Sequence, residues 1–160
     1  MEKIIKIEIP GLRPILADFL WADAPETCRA FIDAMPYTGL ELGHAKWSGC
    51  VISFFTDMNF RKPENSRGHG VWPGDILYNP HVHDQAYHPN EVSIVYGPAA
   101  MRTFSGYAVA NLFARVRPEY LEELSELGND INLHGIRTIT VSAIKQDELQ
   151  GGDQSGDTEN

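Results

Sequence analysis

V-W-P-G-D-I-L-Y-N-P-H-V-H-D-Q-A-Y-H-P-N-E-V-S-I-V-Y-G, residues 71–97, is the stretch whose reading decides the fold. Pro73-Gly74 is a turn signal. Asp75 to Tyr78 is a short apolar run closed by Pro80, and Glu91 to Tyr96 is a second run, rich in β-branched residues and closed by Gly97. The spacing predicts two strands joined by a polar loop that carries His81, His83 and His88.

On either side the same period of two recurs. Lys3 to Ile9 alternates strictly, with Ile5, Ile7 and Ile9 on one face and Lys6 and Glu8 on the other, the mark of a half-buried strand. Pro10-Gly11 turns the chain, and Ile15 to Trp21 is expected to return as its hairpin partner. Leu40 to Gly43, Val51 to Phe55, Ala110 to Val116 and Gly135 to Ile144 complete a set of eight strands.

Two segments read as helices instead. One starts near Pro25, with Asp23 as the expected cap; Cys28, Phe31, Ile32 and Met35 follow at helical spacing until Pro36. The other runs from Pro118, with glutamates in its first turns, Leu121, Leu124 and Leu127 inward, and Gly128 as its expected stop. Residues 57–70 and 97–106 lack periodicity and are expected to be loops, the former long enough to suggest a functional role.

Eight strands without a strand-helix-strand rhythm exclude a doubly wound parallel sheet. The expected fold is mainly β: a closed eight-stranded antiparallel barrel with two short α-helices, spanning residues 1–145 as one domain. The last residues, from Gln146, are acidic and poor in apolar side chains, and are expected to be a disordered tail.

With 22 acidic and 13 basic residues the net charge is −9, so nucleic acid and anionic membranes are not expected partners. No apolar run approaches the roughly 20 residues of a membrane span, and the N-terminus alternates where a signal peptide would be continuously apolar. A cytoplasmic location is therefore the expectation. Cys28 and Cys50 lack C-x-x-C spacing and are read as small buried hydrophobes.

Several short motifs come in a telling order: A-P-E-T at Ala24, W-S-G at Trp47, P-E-N-S at Pro63, P-G-D-I-L-Y at Pro73, V-Y-G-P at Val95, N-L-F-A at Asn111, then E-L-x-x-L-G and G-I-x-x-I. Over residues 12–144 this series resembles a bacterial family of cyclophilin-like barrels whose function is not established. The resemblance implies a closed barrel of about eight strands capped by two helices, and no reaction. No Phe-His-Arg type motif of the prolyl isomerases is present, so that activity is disfavoured. Related domains act with enzymes of small amides and ureas, which implies a metabolite-binding or accessory-subunit role. The chain departs from the family where it carries His81 to Asn90.

Candidate site residues follow from chemistry. Glu64, Asn65 and Ser66 place a carboxylate, an amide and a hydroxyl in one long loop, suited to a small polar ligand, although Asn and Ser also bond their own backbone in turns. Trp47, Tyr78 and Tyr96 could line a pocket or pack in the core. Asn111, a polar amide entering a barrel wall, must find partners. Arg102 is suited to a ligand carboxylate or to solvent.

The expected ligand-binding set is Trp47, Glu64, Asn65, Tyr96 and Asn111. No metal site and no cofactor are assigned. His81-x-His83 imitates a cupin metal motif, and a metal-dependent enzyme is the alternative, but Glu91 comes too late in the chain for that spacing. No phosphate cradle, G-x-S-x-G or H-E-x-x-H occurs. The expected partner is a small polar molecule or a protein, with homodimerisation an expectation that no motif carries. Whether the protein is an enzyme is left open.

Overall fold

A computed structural model describes residues 3–80, 90–103 and 106–149. Its elements are, in chain order, β1 (Lys3–Glu8), β2 (Ile15–Phe19), α1 (Pro25–Ala34), β3 (Tyr37–His44), β4 (Gly49–Phe55), β5 (Asp75–Tyr78), β6 (Glu91–Ala99), β7 (Arg102–Thr103), β8 (Gly106–Tyr107), β9 (Asn111–Val116), α2 (Leu121–His134) and β10 (Arg137–Lys145). Eight strands close into one barrel in the order β1-β10-β3-β4-β6-β5-β9-β2, every pair antiparallel. Closure leaves the sheet without a free edge, which an open antiparallel sheet of this width would expose to pairing with other chains.

The alternation in the sequence becomes an inside and an outside. Ile5, Ile7, Ile52, Ile76, Ile94 and Val141 belong to the central core, together with Cys28 and Phe31 of α1 and Leu124, Leu127 and Ile131 of α2. Each such aliphatic side chain contributes roughly 2 kcal/mol of transfer free energy. The opposite parity is also buried in places: Val51, Leu77, Val95 and Leu112 form a second cluster with Met101, Ala108 and Ala110. The outer wall there lies under the segment that links β6 to β9. That segment is tied to the long loop by Met101 N–H to Gly68 O and Arg67 N–H to Ala110 O.

The registers place the helices. α1 joins β2 to β3 at the end of the barrel where Asn111 begins β9, and α2 joins β9 to β10 at the opposite end. β6 spans the two: Val92 is level with Tyr78 and hence with Asn111, whereas Tyr96 lies four residues further along, roughly 13 Å away.

Several sequence expectations need correction. β2 ends at Phe19 because the backbone then turns, with Asp23 and Ala24 N–H groups both donating to Leu20 O. The 97–106 segment is not all loop: β7 and β8 make a two-stranded ribbon with Arg102 opposite Tyr107. Cys50 is half-buried, not buried, at the mouth end of β4. The tail begins with a 3₁₀ turn, Gln146–Leu149, and residues 150–160 lie outside the described residues.

The largest difference concerns α2, which passes through Gly128 and ends at Gly135. Gly128 is present for packing. A Cβ there would stand 2.3–2.5 Å from three carbons of the Tyr96 ring, so only glycine lets the helix lie across this ring.

Candidate functional site

At the Asn111 end, polar side chains that the sequence separates widely converge on one another. Asn111 is fully buried, and both polar atoms of its amide are engaged: Oδ1 accepts from Glu64 N–H (2.8 Å), and Nδ2 donates to Lys62 O (2.8 Å) and Thr27 Oγ1 (3.0 Å). Glu64 in turn accepts from the backbone N–H groups of Glu26 (2.9 Å) and Thr27 (2.8 Å) and from the Thr27 hydroxyl. These amides open α1, so Glu64 neutralises orphan donors and sits at the positive end of the helix dipole.

The cap of α1 is therefore supplied by a distant loop. Ala24 occupies the N-cap position with no side-chain bond, and Asp23, the expected cap, contributes its backbone carbonyl to Asn65. Glu64→Ala is expected to destabilise the fold by about 1–2 kcal/mol through loss of this cap. Glu64→Gln should retain part of it. Urea unfolding measures both, and an unchanged midpoint for Glu64→Ala would dismiss the capping role.

Asn65 imitates a strand. Its side chain donates to Leu112 O (2.9 Å) and accepts from Leu112 N–H (2.9 Å), beyond the point where β2 stops pairing with β9. Tyr78 anchors the same loop by donating to Phe60 O (2.8 Å). The buried Cys28 thiol beside this group is pushed up to about 12, first by burial and then by the charge of Glu64, which keeps it protonated and unreactive. Glu64, Asn65 and Asn111 are thus brought together, and they tie the long loop to the start of α1 and to β9.

Tyr96 and Trp47 lie at the other end. The Tyr96 hydroxyl is 2.7 Å from His44 Nε2, and His44 Nδ1 is 2.8 Å from Ala45 O. A carbonyl only accepts, so Nδ1 carries the proton and the tyrosine donates to Nε2. Burial, and secondarily the neighbouring Cys50 thiol, raise the Tyr96 hydroxyl above the usual phenol range. Cys50 reaches this position because the β4–β6 register shifts between Gly49 and Val51, and Gly97 lies against it: a Cβ on Gly97 would be 2.9 Å from Cys50 Cβ.

Above that end Trp47 borders a recess of about 380 Å³, lined also by Arg102, Thr103, Gly106 and Tyr107. The ribbon explains its form, because Arg102 and Tyr107 are cross-strand partners and project to the same face. Arg102 stands 5.1 Å from the centroid of the Tyr107 ring, and Lys46 5.3 Å from that of Trp47. Sequence reasoning treated Arg102 singly and missed Tyr107 and Lys46. The turn-forming Gly106 was the available signal for the ribbon. His81, His83 and His88 lie outside the described residues. Among the described residues no group of three or more His, Cys, Asp or Glu side chains could hold a metal, and no helix is long and apolar enough to cross a membrane.

An eight-stranded closed antiparallel barrel with a helix across each end is a cyclophilin-like barrel. By sequence the chain belongs to DUF3830, a family of proteins of unknown function, whose profile matches residues 6–143. A search of curated proteins found no match. Among solved structures the chain is similar to McbB, determined in complex with tryptophan, with a TM-score of 0.65 and 17% identity over 98% of this chain and 46% of that one. It is also similar to the hypothetical protein AF2241 from Archaeoglobus fulgidus (TM-score 0.56, 18% identity, 88% and 94% of the two chains). A third similar structure is a cyclophilin-type peptidyl-prolyl cis-trans isomerase of Cryptosporidium parvum (0.55, 14%, 89% and 99%). At these identities the likeness is one of fold. The chain spans about half the length of McbB.

Proposed function

We propose that this protein is a binding module for a small polar metabolite, received at the Trp47 end of the barrel. The observation that carries this reading is the recess beside Trp47. Its volume of about 380 Å³ lies within the roughly 300–1,000 Å³ of small-molecule sites, and it combines two aromatic walls with a guanidinium and a hydroxyl. Glu64, Asn65 and Asn111 then serve binding indirectly, by fixing the long loop whose Gly68 holds the ribbon strap in place. The likeness to McbB supports the same reading, since that barrel-containing protein was determined with a small molecule bound.

A thermal-shift screen of amides, ureas and carboxylates tests it. A ligand at a hundred times its Kd stabilises by about 2.7 kcal/mol, which is roughly 5–10 °C for a chain of this size. At least one class should produce such a shift, and Trp47→Ala, folded normally, should abolish it. A screen that moves nothing, or a shift indifferent to Trp47→Ala, rejects the site.

A second reading has its own support. Because a similar barrel accounts for 46% of the McbB chain, this one is suited to act as the accessory subunit of a larger small-molecule enzyme. Stoichiometric co-purification of one enzyme with the full chain would favour it, and a lone species at native concentration would not.

A further inference from the structure

Resting on the recess assigned above, we infer that its ligand is an anion: a small planar carboxylate, bound by the Arg102 guanidinium with its flat part against Trp47 and Tyr107. Two independent observations carry this. The first is local. Each aromatic wall bears a cationic or basic side chain, Lys46 on Trp47 and Arg102 on Tyr107, and the His69 ring lies 4.4 Å from that of Tyr107 at an interplanar angle of 31°. Among the described residues no carboxylate lines the recess.

The second is the distribution of charge. The chain carries 22 acidic residues, yet residues 42–56, 65–74 and 92–118, which include the Trp47 turn, the Gly68 part of the long loop and the strap, contain no aspartate or glutamate, whereas α2, which crosses the same end of the barrel, carries Glu122, Glu123, Glu126 and Asp130. A small anion is repelled by a chain of net charge −9 and favoured within such an acid-free region, at a basic group that has no acidic partner. Within that region Arg115 is paired with Asp75, and Arg117 with Asp18. Arg102 has no carboxylate partner among the described residues; its side chain reaches only the Tyr107 hydroxyl, at 3.4 Å. A planar fork of donors beside two aromatic faces matches a planar carboxylate in both geometry and charge.

Benzoate, benzamide and benzylamine share one shape and carry negative, zero and positive charge, so calorimetric titration with these three probes isolates the charge. Benzoate should bind about tenfold or more tightly than benzamide, with benzylamine weakest, and added salt should erode the benzoate affinity. Arg102→Gln should remove the benzoate preference, so that benzoate and benzamide bind that variant equally. Equal binding of benzamide and benzoate, or a benzoate preference that survives Arg102→Gln, overturns the anion inference while the small-molecule site stands. Binding of a non-carboxylate from the thermal-shift screen with no binding of benzoate does the same. If neither the probes nor the screen produce any ligand, both the inference and the binding function fall.

Discussion

Gly128→Ala is expected to destabilise the protein by roughly 2–3 kcal/mol, although the same change in an exposed helix would stabilise by up to about 1 kcal/mol. The sign is decided by the 2.3 Å between the new Cβ and the Tyr96 ring, a distance no side-chain rotation of alanine can relieve. The ring cannot retreat cheaply, being buried and hydrogen-bonded to His44. Either α2 lifts from the barrel end or the tyrosine abandons its partner. Tyr96→Leu in the Gly128→Ala background should recover much of the loss, and urea unfolding of the two single variants and the double variant measures it. A Gly128→Ala protein as stable as the parent would mean that helix and ring are not in contact.

Asn111→Ala should be more damaging still, on the order of 4 kcal/mol. Three hydrogen bonds vanish, and the Glu64 N–H, the Lys62 carbonyl and the Thr27 hydroxyl are left to find water in a place where Asn111 itself has no exposure. The effect should spread, because Asn111 aligns the loop that delivers Glu64 to α1. Amide hydrogen exchange at Glu26, Thr27 and Glu64 should accelerate together in the variant. A loss below about 1 kcal/mol, or acceleration confined to Glu64, would show that the loop is held without Asn111. The contrast with Glu64→Ala is informative: Glu64 is only half-buried, so water can replace it at the helix end, whereas nothing replaces the buried amide.

The eight strands were legible because a barrel with a filled interior imposes a period of two on every wall, as in Ile5, Ile7 and Ile9. The helices were legible in position but not in detail. Gly128 was read as a stop because local rules know glycine as a helix terminator, and the ring that requires it stands on another strand. Asp23 was read as the cap of α1 for the same reason: it is adjacent in sequence, whereas the group that performs the task is 38 residues away.

The candidate site divided along the same line. Residue type correctly drew attention to Glu64, Asn65 and Asn111 as polar groups in need of partners. It could not say that their partners would be one another and the backbone of α1 and β9. Trp47 and Arg102 were each noticed alone, and their convergence with Tyr107 depends on a two-residue ribbon too short to leave a periodic trace.

What the sequence by itself determined is the pattern of inward and outward side chains, hence a closed antiparallel barrel, together with the uneven spread of acidic residues along the chain. Both are local properties, written in spacing and composition. Tertiary structure alone decided which end of the barrel each polar group occupies, that one set holds a loop and a helix in place, and that aromatic and basic side chains from two turns enclose a recess. Those outcomes depend on contacts between distant residues, set by strand register and helix packing, and no short window of sequence contains them.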